Sequence, residues 1–198
     1  MPKVSKAGGT TPPPKKSRAD ASNNRELLLD AARELFLAQG TSAPLDLIAT
    51  RAGVGRATLF RNFPDRQALL DALLDRSLDQ FETRAQSLRD DPDALLKLLQ
   101  YCSEHILANG PLVEYWQAMD LRGPALQAVV TRYLNIFSRP LRKAVAAGLC
   151  RPDLRLPDIL LLSSLLSSRA VRRAKNPKAL AKRTWALTVA AAGLKSSS

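Results

Sequence analysis

The run Ala49-Thr50-Arg51-Ala52-Gly53-Val54-Gly55-Arg56-Ala57-Thr58-Leu59-Phe60-Arg61-Asn62-Phe63 narrows most sharply what this chain can fold into. Glycine takes the left-handed backbone that stops a helix. Gly53 therefore predicts two short helices meeting at a tight corner. Ala49 is small enough to sit where the second helix crosses the first, and Val54 is an apolar plug for the angle between them. Leu59 and Phe63 can bury one side of the second helix. That leaves Arg56, Ala57, Thr58, Phe60, Arg61 and Asn62 nearer the surface.

A plain corner in an all-helical protein accounts for the Ala, Gly and Val, but not for a polar, basic outer face. Such a face suits the major groove of DNA, with the first residues of the helix at base edges. Arg56 has the fork for a bidentate bond to guanine, and Ala57 and the Thr58 methyl suit a thymine methyl. Thr58 and Asn62 can bond phosphates, which fix register rather than sequence. Arg66, at the start of the next helix, and Arg25, opening the first, are candidate phosphate clamps.

Charge agrees with a polyanionic partner. The 198 residues carry 30 Lys and Arg against 18 Asp and Glu, a formal net charge of +12. The excess gathers before Asp20 and between Arg169 and Arg183. Basic runs are more often solvated faces than binding sites, so charge supports this reading without making it. Enzymatic function is not expected. His105 is the only histidine, and no nucleophile–base set or metal-ligand spacing is visible. The expected cofactor and metal are therefore none. Cys102 and Cys150 are far apart and read as reduced thiols. The N-terminus lacks a hydrophobic signal core. The most apolar run, Ile159 to Leu166, is far short of the ~20 residues that span a bilayer. The expectation is a soluble cytoplasmic protein with no membrane partner.

Leu, Ala and Arg dominate and strand-type alternation is missing, which predicts an all-α fold. Residues 1–22 hold two glycines, three consecutive prolines and several lysines, and are expected to be a disordered basic tail. Helix one is expected from about Asn23, where Asn23 and Glu26 have capping-box spacing, to Gly40. Helix two follows from Pro44 to Ala52, with proline at the first helical position. Helix three spans Arg56 to Asn62. Asp65 is placed to cap helix four, which extends to about Leu88. Further helices are expected over 92–108, through Met119, over 124–147 with a possible kink at Pro140, over 157–174 and over 177–194.

The residues Ala31-Ala32-Arg33-Glu34-Leu35-Phe36, Gly40, Ile48-Ala49, Ala52-Gly53-Val54-Gly55 and Thr58-Leu59-Phe60-Arg61-Asn62-Phe63-Pro64-Asp65-Arg66-Gln67-Ala68-Leu69 resemble the N-terminal domain of TetR-family transcriptional regulators. The resemblance implies a three-helix helix-turn-helix DNA-binding domain over 23–68. It also implies a helical ligand-sensing and dimerisation domain over 69–198. The implied partners are double-stranded DNA with a palindromic operator, a second copy of the chain, and a small-molecule effector. There are departures from the family pattern. Phe60 stands where a phosphate-bonding tyrosine is usual. Gly55 replaces a frequent serine. Pro44 takes the place of a capping threonine, which leaves that work to Thr41 or Ser42. Arg66 replaces a lysine and keeps a phosphate role.

The second half is less specific. Tyr101, His105, Trp116, Met119, Tyr133 and Phe137, with Tyr115, are candidate lining for an apolar ligand pocket. Each is also a plausible core residue. The serine-rich apolar helix after Pro157 needs cover on more than one face and reads as half of an intersubunit bundle with the last helix. The reading that results is a dimeric repressor released by its ligand. The alternatives are an activator of the same fold and a non-specific basic DNA-binding protein.

Overall fold

The computed structural model describes residues 18–119, 123–168, 171 and 174–197, and does not cover the side chains of residues 18, 19 and 116. Among the described residues every regular element is a helix, as the pattern predicts. In chain order these are α1 (Arg18–Gln39), α2 (Leu45–Arg51), α3 (Arg56–Asn62), α4 (Arg66–Ser87), α5 (Ala94–Ala108), α6 (Gly110–Ala118), α7 (Pro124–Ala146), α8 (Leu156–Leu166) and α9 (Pro177–Ala192).

The α2–α3 corner is built by backbone chemistry. Gly53 takes φ +67°. That conformation aims the Val54 N–H at the Ala49 carbonyl (3.0 Å) and the Gly53 N–H at that of Thr50 (3.1 Å). These two bonds satisfy carbonyls that the helix end leaves orphaned. Gly55 follows in an extended conformation (φ −71°, ψ 151°) and serves as N-cap of α3. Asp65 caps α4, its Oδ1 accepting from the Ala68 N–H at 2.8 Å.

Two apolar clusters organise the packing. One joins α1 to α4, with Leu28, Ala32, Phe36, Ile48, Leu59, Phe63 and Leu69 nearly or fully buried. The other fills the rest of the molecule around Leu98, Leu99, Phe137 and Ile159. The element α6 bridges them. Its Leu112 is buried in the first cluster, and Tyr115 packs against that cluster.

Three sequence expectations change. The helix expected from Asn23 begins at Arg18, so Asn23 lies inside α1 and caps nothing, and 18–22 are not part of a disordered tail. The rest of that tail, 1–17, lies outside the described residues. Pro44 is the N-cap of α2 rather than its first residue. The helix after Pro157 stops at Leu166, eight residues short of the expected end. Inside it the Ser163 and Ser164 hydroxyls bond back to the Ile159 and Leu160 carbonyls, and just past its end Ser168 Oγ accepts from the Val171 N–H. Such side-chain bonds offer the backbone an alternative to the helical ladder. In contrast, α7 continues through Pro140 as one element.

Candidate nucleic-acid interface and internal cavity

The outer face of α3 is carried by four exposed residues, Arg56, Ala57, Phe60 and Arg61. The Arg56 side chain is 70% exposed and its Nη1 lies 3.2 Å from Asp46 of α2. Its guanidinium also rests 5.4 Å from the Phe60 ring centre, and Phe60 is itself exposed. Ala57 and Arg61 are exposed beside them. An exposed ion pair of this kind contributes little to stability, so Arg56 gives up little on exchanging Asp46 for a nucleic-acid partner. Asn62 turns partly inward, its amide donating to the Thr58 carbonyl at 2.8 Å.

Thr58 departs from expectation. It is only 8% exposed. In a helix of seven residues, Thr58, Leu59 and the following Phe63 form the inward stripe, which leaves the Thr58 methyl little surface to offer a base. Its hydroxyl instead lies 3.5 Å from Arg61 Nη2.

The clamp candidates are held by other parts of the head. Arg25 stacks its guanidinium over the Phe63 ring at 4.6 Å. Arg66 Nη1 donates to the carbonyls of Thr41 (2.7 Å) and Ala43 (2.6 Å), tying the α1–α2 loop to the start of α4. Neither Thr41 nor Ser42 caps α2, because the capping position belongs to Pro44 and both hydroxyls lie too early in the chain. Arg51 of α2 pairs with Glu34 of α1 at 2.8 Å.

A cavity of about 250 Å³ opens between α4, α5, α6, α7 and α8. Phe81, Ile106, Leu126, Val129 and Val130 supply apolar wall. Its polar centre is Tyr133, whose Oη lies 2.7 Å from Ser163 Oγ and 3.2 Å from Cys102 Sγ. Burial pushes the Tyr133 phenol and the Cys102 thiol up from their ordinary values, so both stay protonated. His105 stands edge-on to Phe81 at 5.1 Å. Burial, reinforced by the nearby Arg33 charge, lowers its pKa from 6.5 to about 4 and keeps the ring neutral near pH 7.

The cavity wall touches the head in two places. Asn109, 4% exposed, accepts from Arg33 Nε of α1 at 2.9 Å and donates to the His105 carbonyl at 2.9 Å. Leu112 lines the cavity and belongs to the N-terminal cluster. Beside it, Tyr115 Oη donates to Asp71 of α4 at 2.7 Å and contacts Gln67.

The family model described as bacterial regulatory proteins, tetR family, matches residues 28–73. A curated HTH-type transcriptional regulator of Staphylococcus aureus is 31% identical over 91 residues, which is 46% of this chain. The chain spans about half the length of the curated relatives it matches, 49% in that case. A solved TetR transcription regulatory protein from Mycobacterium vanbaalenii is 32% identical with a TM-score of 0.61, and the match covers 79% of this chain and 94% of that one. The chain belongs to the TetR family. A TetR transcriptional regulator of Streptomyces coelicolor, 25% identical with a TM-score of 0.66, matches over 88% of this chain and 99% of its own.

Against this TetR-family frame, the structure gathers some predicted pocket residues and disperses others. His105 and Tyr133 line the cavity. Phe137 is fully buried in the core behind it. Tyr101 faces an outer cleft with Arg84 and Glu104, and Met119 faces a separate hollow beside Gln67. The Trp116 side chain lies outside the described residues. Sequence reasoning passed over Ser77, Cys102, Asn109, Gln117 and Ser163, all cavity residues. The Ser-Ser repeats were the only hint, because serines inside an apolar helix need a reason to be there. No group of His, Cys, Asp and Glu suited to a metal occurs among the described residues, and none of their helices is long and apolar enough to cross a membrane.

Proposed function

We propose that this TetR-family protein is a homodimeric transcriptional repressor. In this reading α3 of each protomer reads one half of a palindromic operator, and a small molecule filling the cavity releases the dimer from DNA. The observation that carries the reading is the outward face of α3. There Arg56, Ala57, Phe60 and Arg61 stand exposed on a helix held from behind by Leu59 and Phe63. Arg25 and Arg66 act as flanking positive groups, with Arg66 first serving the loop it ties. The domain division follows the same line, with a reading head to about residue 68 and a sensing and pairing unit beyond it.

Pairing is supported by apolar surface on the last two helices. Leu161 and Leu165 of α8 are 64% and 55% exposed, and Leu187 of α9 is 54% exposed. Leucines four apart on one helix share a face, and a second copy of the chain would cover them as a four-helix bundle. A two-fold dimer of this kind sets its reading helices about 34–36 Å apart, one turn of DNA. Release follows as a population shift. A ligand that moves Asn109 or Leu112 acts on Arg33 of α1 and on the first cluster, and so on the spacing of the two heads.

Selection of bound duplexes from a random pool at physiological salt tests the reading, with the stoichiometry of the selected complex measured by sedimentation. An enriched palindrome carrying two protomers is expected. Binding at low salt only, with no enriched sequence, would leave a non-specific binder driven by the +12 charge. Raised transcription from a reporter carrying the selected operator would make the protein an activator.

A further inference from the structure

In a chain with 24% charged residues, the cavity is lined, among the described residues, by no Asp, Glu, Lys or Arg. Its imidazole, His105, is held neutral. The proton count at its polar centre is equally definite. The single Ser163 hydroxyl proton goes to the Ile159 carbonyl at 2.7 Å. The Tyr133 hydroxyl must then donate to Ser163 Oγ, 2.7 Å away. The Cys102 thiol is left to donate to Tyr133 Oη at 3.2 Å. Every proton of the relay is committed inward. What remains at this relay is oxygen lone pairs, which accept and cannot donate, while the wall's N–H groups sit elsewhere, on His105, Asn109 and Gln117.

We infer that the cavity selects an uncharged, largely apolar molecule carrying one hydroxyl or amide N–H, which donates to the oxygens of Tyr133 and Ser163. This rests on the reading of the cavity as the effector site. An anion would meet a relay that turns only lone pairs toward it. A cation would find no carboxylate partner. Either would lose its hydration with no opposite charge in the lining to offset it. The size is bounded too. A dry cavity of roughly 150 Å³ takes benzene, about six non-hydrogen atoms, so about 250 Å³ takes a ligand on the order of ten.

The test uses the full-length protein without DNA, so its failure is separate from a failure of operator selection. Bound 1-aminoanthracene, a neutral fluorescent tricycle, is displaced by four competitors of similar length: decan-1-ol, 1-methoxynonane, decanoate and decylammonium. Decan-1-ol is expected to displace about tenfold better than 1-methoxynonane, which lacks the donor, and about a hundredfold better than either ion. Tyr133→Phe is expected to shrink the gap between alcohol and ether while the ions stay weak. Ser163→Ala, a smaller change, is expected to do the same if Tyr133→Phe does not fold. Decanoate or decylammonium competing as well as decan-1-ol would overturn the inference. So would equal competition by alcohol and ether, or failure of 1-aminoanthracene to bind at all.

Discussion

In the reading head, Arg56, Phe60 and Arg61 stand on the outside of a seven-residue helix, and their backing is tied together by charged groups. In the cavity half, Tyr133, Ser163 and Cys102 turn inward, and among the described residues no charged side chain lines the space they face. The head uses charge at the solvent edge, where water keeps it inexpensive and a phosphate can replace the water. The cavity keeps its own lining neutral, because an unpaired buried charge is costly. Under the proposed function, the two tasks of gripping a polyanion and holding a small apolar molecule would draw on opposite chemistry within one helical chain. The bridge between them is α4, which gives Leu69 and Leu73 to one cluster and Leu78 and Phe81 to the other, with Arg33–Asn109, Leu112 and Tyr115–Asp71 beside it.

The harshest way to probe this comparison is to hollow each cluster in turn. Phe63 is 1% exposed in the head and Phe137 is fully buried in the other cluster. Truncation of either to alanine is expected to cost roughly 3–5 kcal/mol. Urea denaturation followed by circular dichroism should show one shared transition moving to lower urea in both variants. A separate early transition in Phe63→Ala alone would mean that α4 and α6 do not couple the two halves.

A smaller effect separates a structural from a purely phosphate-binding arginine. Arg66→Met removes two charge-assisted bonds to backbone carbonyls and should lower stability by about 1.5–3 kcal/mol. It should also weaken binding to all DNA sequences alike. Unchanged stability would return Arg66 to the phosphate role alone.

Smaller again is a pH effect in the cavity half. His105 is depressed in the folded protein from 6.5 to about 4. As pH falls through 6.5, the unfolded chain takes up the proton first. Stability is therefore fully present above 6.5, declines toward about 4, and levels off below. The loss is roughly 1–3 kcal/mol, since each pKa unit is worth about 1.4 kcal/mol and His105 keeps some solvent contact. His105→Gln should flatten the curve over this window relative to the unaltered protein. Parallel curves would show that the ring is not buried as described.

These two regions also differ in how far the sequence revealed them. The α2–α3 corner was legible because Gly53, Val54 and Asp65 act locally, each through the backbone within a few residues of itself. The inward turn of Thr58 was not, because in so short a helix one residue of register decides which side faces the core. The Arg66 bonds reach carbonyls 25 and 23 residues earlier, and no local rule ties those positions together. In the second half, Tyr133 and Phe137 lie four apart on one buried face of α7, so periodicity could not separate Phe137 in the core from Tyr133 at the cavity. Large aromatic side chains drew the expectation, while small polar ones such as Ser77, Cys102 and Ser163 do much of the lining. A serine facing a cavity and a serine facing water look alike in sequence.

The central claim is that α3 reads base edges through Arg56. It is tested most directly by measuring the affinity of Arg56→Ala for the selected operator and for a scrambled duplex at the same salt. The expected result is a loss of about 1–3 kcal/mol on the operator, roughly tenfold to a hundredfold, with little change on the scrambled duplex. Equal losses on both would reduce Arg56 to a phosphate contact and contradict the account.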